Sequence, residues 1–268
     1  MKPAQIHETA VVSPEAEIAQ GVRIGPYAVI GPGVKIEADA EIGPHSVIEG
    51  SVKIGKAVKV FQFSAIGGAP QDIKYAGEDT KVEIGDNSII REFVTIHKGT
   101  RHGKGVTRIG KNCMIMAYSH IAHDCQVGDN VIMANGATLG GHVVIEDNVV
   151  IGGLSAIHQF CRIGTFAFMG GMSGTNKDIP PYVKYWGRRG KIRGLNLIAL
   201  KRKGLSRETI DGLKKAYRTI FQGKETLTEA VSRLSSQKEL LPEVRYFIDF
   251  IKTSKRGVPS SSINGEED

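Results

Sequence analysis

The chain reads as a mainly β protein, a stack of coils made of short parallel strands, with a small helical part after it. Three observations predict this. A large aliphatic residue returns at every sixth position, from Ile6 to Ile66, then at Ile84, Ile90 and Ile96, then one residue out of phase from Ile109 to Met169; all 25 positions hold Ile, Val, Leu or Met. The fifth place of each hexad holds a small or β-branched residue, such as Ala28, Ser46, Cys113 or Ala137. Glycine supplies 33 of 268 residues, about 12 % against a usual share of roughly 7 %. Twelve of these glycines directly follow the large aliphatic residue.

A helix needs apolar residues at a 3.6 spacing, which a strict period of six does not provide. Short strands separated by regular turns do provide it. The first and fifth places then point inward, one large and one small, and each coil buries its neighbour. The coils occupy residues 1–189, with inserted loops where the register breaks, at about 67–83 and 97–108. Beyond residue 190 the hexads stop. Ser206 is an N-cap before a helical face of Ile210, Leu213, Tyr217 and Ile220, and Gly223 ends it. Leu227, Ala230, Val231 and Leu234 make a second face; Val244, Phe247, Ile248 and Ile251, after Pro242, make a third. Residues 190–256 are therefore expected to be α-helical, and 257–268 a flexible tail.

Composition excludes several classes. Glycine is not at every third place, so the chain is not collagen, and apolar residues at 41 % argue against disorder. No apolar run approaches the length of a membrane span, and the N-terminal stretch lacks the apolar core of a signal peptide. Three cysteines are too few for a disulfide scaffold, so a cytoplasmic location is expected. Residues 184–256 carry 19 Lys/Arg and 7 Asp/Glu, a net of +12, while the rest carries 16 and 21, a net of −5. Such a basic part attracts an acidic partner. Nucleic acid is not expected, because no binding motif or stacking cluster accompanies the charge.

The hexad pattern resembles that of the hexapeptide-repeat acyltransferases. The resemblance implies a left-handed parallel β-helix with three hexads per triangular coil, hence about eight coils. Columns then repeat every 18 residues. His123 falls under Gly141 and Gly141 under Gln159; Asp124 falls under His142, with His120 and His158 flanking. None of the histidines holds an inward place. Four histidines on one edge mark a functional site rather than decoration. A neutral imidazole suits general-base work on a hydroxyl, Asp124 suits its orientation, and the N–H of Gly141 can approach a developing oxyanion. No outward Ser or Cys stands beside the histidine, so direct attack without a covalent intermediate is expected. Cys113, Cys125 and Cys161 all hold the small inward place and read as core filling.

Closer matches lie in SHIAHDC (119–125), GGH (140–142), IHQF (157–160), QDIKYAGE (71–78), IPPYV (179–183), GLNL (194–197) and LKRKGLSRE (200–208). In these the chain resembles the UDP-N-acetylglucosamine O-acyltransferase family over nearly its whole length. That resemblance implies transfer of a 3-hydroxyacyl chain from acyl carrier protein to the sugar 3-hydroxyl, the first step of lipid A synthesis. It implies catalytic roles for His123, Asp124 and Gly141, and substrate contacts for Asp72, Lys74, His120, His142, His158, Gln159, Asn196, Arg202 and Lys203. It makes Gly171 and Arg189 the residues that set acyl-chain length, with glycine leaving room for a long chain. It implies a homotrimer with sites between subunits, an acidic carrier protein docked on the basic part, no metal, and no cofactor besides the carrier's phosphopantetheine thioester. Ile198 departs from the Glu common there, and Lys203 from the second arginine. Three other readings share the fold: an amide product on the 3-amino sugar analogue or another amine acceptor, a zinc-dependent hydrase, and a non-catalytic scaffold.

Overall fold

The computed structural model describes residues 2–237 and 239–261. The chain winds through two-residue strands, beginning with Gln5–Ile6, Val11–Val12 and Glu17–Ile18, and then Arg23–Ile24 pairs in parallel back onto Gln5–Ile6. Repetition builds three sheets, here faces 1, 2 and 3, which start with those three strands in turn. The register is constant: Ile6 lies opposite Ile24, Val12 opposite Ile30 and Ile18 opposite Ile36. The inward side chains fill the prism, with Ile30, Ile48, Ile90 and Ile121 fully buried beside small Ala28, Ser46 and Ala137.

The corners explain the period. The fourth residue of the hexad adopts the left-handed conformation, as in Tyr27 (φ 56°), Asp124 (φ 60°) and His142 (φ 62°). A non-glycine residue there costs about 1–2 kcal/mol, which the ladder of hydrogen bonds to the next coil offsets. Glycine follows the large aliphatic residue because the next coil passes very close. At Gly152 a Cβ would lie 2.4 Å from the Gly171 nitrogen.

The three faces differ outwardly. Face 3 carries ion pairs, Glu17 with Lys35 at 2.9 Å and Glu83 with Arg108 at 2.7 Å. The upper part of face 1 presents Ile89, Met114, Ile132, Val150 and Phe168, and the lower part of face 2 presents Val11, Val29, Val47 and Ala65. At the corner between faces 1 and 2, the rings of Tyr27, His45, Phe63, Phe93 and Tyr118 stack in one column with 4.9–5.1 Å between centroids.

The β part extends further than the hexads. Val183–Trp186 adds in parallel to face 1, and Lys191–Leu195 pairs with it antiparallel. The boundary expected at residue 190 therefore moves to Leu195, because a hairpin needs no hexad. Four helices follow: α1 (Leu197–Arg202), α2 (Arg207–Gln222), α3 (Leu227–Ser235) and α4 (Pro242–Lys252). Ser206 Oγ accepts from Thr209 N at the start of α2, as expected, and Thr226 with Glu229 forms a capping box at α3. Leu213, Tyr217, Val231, Leu234, Phe247 and Ile251 bury the shared core of α2–α4. Residues 257–261 are not the free tail expected from their composition. Asp178 N donates to Gly257 O and Ile192 N to Ser260 O, both at 2.9 Å, and the Tyr217 and Ser261 hydroxyls are 2.9 Å apart. The rest of that tail, residues 262–268, lies outside the described residues. The inserted loops are narrower than the broken register suggests, 69–80 and 98–105, because strands begin on both sides of each gap. Among the described residues no helix is long and apolar enough to cross a membrane.

Candidate active site

Both inserted loops leave the coils where face 2 turns into face 3, the corner that carries His123, Asp124, Gly141 and His142. Asp124 is fully buried at this corner. The second loop closes on its carboxylate: Thr100 N donates at 3.1 Å, Thr100 Oγ1 at 2.7 Å, Lys104 N at 2.8 Å and Gly105 N at 3.1 Å. Gly103 passes so close that a Cβ would overlap the carboxylate. Burial pushes the Asp124 pKa up, but the hydrogen bonds from His123 and Thr100 outweigh it, and the net shift is downward. An ionised carboxylate only accepts. The contact between His123 Nδ1 and Asp124 Oδ2, 2.9 Å, therefore places the imidazole proton on Nδ1. That leaves the Nε2 lone pair free, aimed at Gly141, where a Cβ would lie 2.6 Å from Nε2. Among the described residues the Gly141 N–H donates to no acceptor, as is also true of the His123 and Gln159 N–H groups in the same column.

His142 meets His123 edge to face at 4.9 Å and stacks on Phe160 at 4.4 Å. Its Nδ1 is 3.8 Å from Asp124 Oδ2. Burial lowers its pKa, against the pull of Asp124. Asp72, from the first loop, also acts on His142 through its charge, which sets that loop beside the site. Asp72 Oδ1 accepts from the Lys74 backbone at 2.9 Å, and Lys74 is exposed. His120 stands on face 2, its Nδ1 2.7 Å from Thr95 Oγ1. His97 meets His120 edge-on at 4.9 Å, and burial pushes its pKa down to about 4. Sequence reasoning missed His97. The second loop follows it directly and breaks the column count that would have set it beside His120.

Higher on face 2, His158 lies with Lys177, Arg188 and Arg189 on a cleft of about 600 Å³. Gln159 stands one coil above Gly141. Gly171 sits on the far corner of face 2, with open space bounded by Gly153 O at 3.4 Å from an added Cβ. Asn196, Arg202 and Lys203 are not brought to His123 within one chain. With Ile198 they line a separate cavity of about 550 Å³ at the corner between faces 3 and 1. Asn196 there caps α1 and donates to Phe166 O at 3.0 Å.

Burial pushes the thiols of Cys113 and Cys161 up to about 11 and that of Cys125 to about 12, so none supplies a thiolate near neutral pH. His123, Asp124 and His142 bring ligand atoms within 4.8 Å, the composition of a metal site. Both Asp124 oxygens, however, already accept N–H and O–H donors from the loop, a donor set that suits an oriented imidazole better than a cation.

A fold of stacked hexads with an oriented histidine at a coil corner defines a transferase of the hexapeptide class. Comparison with known proteins agrees. A model of bacterial transferase hexapeptide repeats matches residues 107–141, and one of UDP-N-acetylglucosamine O-acyltransferase, domain 2, matches residues 178–259. The chain is 51 % identical over 254 residues to the acyl-[acyl-carrier-protein]–UDP-N-acetylglucosamine O-acyltransferase of Thermodesulfovibrio yellowstonii, covering 95 % of this chain and 98 % of the relative. It is 49 % identical over 257 residues to that of a Janthinobacterium species, covering 94 % and 98 %. The UDP-N-acetylglucosamine acyltransferase of Campylobacter jejuni superposes with a TM-score of 0.91 at 40 % identity, over 96 % of this chain and all of that one. The chain belongs to the UDP-N-acetylglucosamine O-acyltransferase family and is an acyltransferase on a left-handed parallel β-helix.

Proposed function

We propose that the chain transfers a 3-hydroxyacyl group from acyl carrier protein to the 3-hydroxyl of UDP-N-acetylglucosamine, opening lipid A synthesis, with His123 as general base. The observation that carries this is the Asp124–His123–Gly141 arrangement, a buried carboxylate, a fixed tautomer and an N–H without an acceptor in line. In this mechanism Nε2 of His123 takes the proton of the sugar hydroxyl as its oxygen attacks the thioester carbon. Asp124 stabilises the imidazolium that forms. The negative oxygen of the tetrahedral adduct faces the Gly141 N–H. Collapse breaks the carbon–sulfur bond, and the imidazolium returns its proton to the leaving thiolate. The thioester is the donor substrate, and no further cofactor enters the scheme.

Asp72, Lys74, His120, His142, His158 and Gln159 are proposed to hold the sugar and diphosphate. Gly171 and Arg189, at the upper end of face 2, are proposed to bound the acyl chain. Asn196, Arg202 and Lys203 are proposed to serve the site of a neighbouring subunit in a homotrimer. Two features support that assembly: the apolar upper face 1 and lower face 2, and the ion-paired face 3 suited to solvent. We propose a cytoplasmic location, where the carrier protein and sugar nucleotide meet.

The test is an assay of the purified protein with UDP-N-acetylglucosamine, its 3-amino analogue and 3-hydroxyacyl carrier proteins of several lengths. Ester formation on the first sugar is expected. His123→Ala should lower kcat by about 10²- to 10⁴-fold with little change in KM. Full activity of that variant would overturn the mechanism. Amide formation on the amino sugar alone would replace the acceptor, and stoichiometric, activity-linked zinc would replace the chemistry.

A further inference from the structure

The first inserted loop, 69–80, carries Asp72 and Lys74 to the site, yet its own bonds do not hold it there. Within it Tyr75 N donates to Asp72 O at 3.0 Å, Lys74 N to Asp72 Oδ1 at 2.9 Å and Ala76 N to Glu78 Oε2 at 3.0 Å. These bonds shape the loop from inside. Its far end is tied down: Ser51 Oγ donates to Asp79 Oδ1 and Thr80 Oγ1 to Gly99 O, both at 2.6 Å. Among the described residues no hydrogen bond or ion pair joins residues 69–78 to the coils. A different contact reaches the middle of the loop. The Lys98 ammonium lies 5.3 Å from the centroid of the Tyr75 ring, within the roughly 6 Å over which a ring face attracts a cation.

Lys98 is well placed for this. It follows His97 at the end of a face 2 strand, and its N–H donates at 3.2 Å to the carbonyl of Gly68, where the first loop departs. Two residues on, Thr100 begins the clamp on Asp124. The Lys98 backbone thus leads into one loop while its side chain reaches the other. Lys98 and Tyr75 are both half-buried, and Lys98 has no ion-pair partner among the described residues. The Tyr75 hydroxyl donates to Glu78 O at 3.3 Å inside its own loop, so the ring face and not the hydroxyl makes the connection.

We propose that Lys98 is a positioning residue for the sugar nucleotide: its ammonium on the Tyr75 ring latches the first loop and so holds Asp72 and Lys74 at the site. The role in binding rests on the acyl-transfer reading above; the latch does not. A loop held only at its ends must be ordered by the substrate, and that ordering subtracts from affinity without altering the reacting groups.

Amide hydrogen exchange and steady-state kinetics on the full-length protein test the two parts. Lys98→Met keeps an unbranched side chain and removes the charge. Amides of residues 74–76 should then exchange several-fold faster, and Tyr75→Leu should have the same effect. Lys98→Arg and Tyr75→Phe keep a cation and a ring, and should exchange like the unaltered protein. Unchanged exchange in Lys98→Met, or a loosened loop in Tyr75→Phe, would overturn the latch. Lys98→Met should also raise KM for UDP-N-acetylglucosamine several-fold with kcat unchanged, and Lys98→Arg should restore it. A loosened loop with an unchanged KM would overturn the role in binding. So would a fall in kcat at unchanged KM, which would assign Lys98 to the Asp124 clamp. An unaltered protein with a protected loop but no acyl transfer would refute the acyl-transfer reading instead, and the latch would stand.

Discussion

Asp124 does the least visible work in the site. It is fully buried, yet a loop from a lower coil surrounds it with donors, and its one remaining direction faces His123 Nδ1. Asp124→Asn keeps the shape but puts an N–H where a donor already points. We expect kcat to fall by about 10²- to 10⁴-fold with the thermal midpoint shifted only a few degrees; retention of kcat would remove Asp124 from the mechanism. Gly141→Ala would set a methyl 2.6 Å from His123 Nε2, so it should cost kcat on the scale of losing the base, with the circular dichroism spectrum unchanged. His97 gives a pH prediction. Burial holds its folded pKa at about 4, below the ordinary histidine value of about 6.5, so the unfolded chain binds the proton first as pH falls. The stability this histidine contributes is present above pH 6.5 and is lost between pH 6.5 and 4, at most about 3 kcal/mol. Urea unfolding of His97→Gln should show a flatter acid limb in that window, and identical limbs would contradict the assignment.

The elements carry their roles through their ends. The loop 98–105 reads in the sequence only as a gap between hexads. In space it is the clamp of Asp124, because the corner it leaves from is the one His123 and Asp124 occupy. Thr100→Val removes the Oγ1 donor and should cost about 1–3 kcal/mol, with the Asp124 pKa moving upward; urea titration and the acid limb of kcat would reveal both. α2 offers a contrast. Ser206→Ala loses the N-cap bond to Thr209 and should cost about 1 kcal/mol without changing kcat, since the cap touches no site residue. The Ser206 cap and Gly223 stop of α2, the hexad places and the buried cysteines were readable in advance, because each depends on neighbours close in sequence or on a fixed period. The hairpin Val183–Leu195 and the docking of residues 257–261 were not, because they are set by partners such as Phe168, Asp178 and Ile192 far along the chain.

At the scale of the molecule, the residues expected to serve one reaction lie on two corners of the prism. His123 and Asp124 are on the corner between faces 2 and 3, and Arg202 and Lys203 are on that between faces 3 and 1. A site shared between subunits makes a sharp prediction. Chains carrying His123→Ala and chains carrying Arg202→Ala, each weakly active alone, should regain activity when co-assembled, because some shared sites then receive both intact residues. No recovery would place the whole site within one chain. Ile132→Asp on the apolar upper face 1 should lower the assembled mass seen in sedimentation.

The sequence by itself determined the coil. A period of six with one large and one small inward residue leaves few other ways to bury the apolar side chains, and it set His123, Asp124, Gly141 and His142 on one edge before any coordinate was known. The tertiary structure decided what those residues do to one another. The left-handed turn at Asp124, the loop that wraps its carboxylate, the Nδ1–H that follows and the bare N–H of Gly141 all depend on backbone from other coils. A residue's column is fixed by counting along the chain, but hydrogen bonds and burial are fixed by whatever the folded chain brings alongside it.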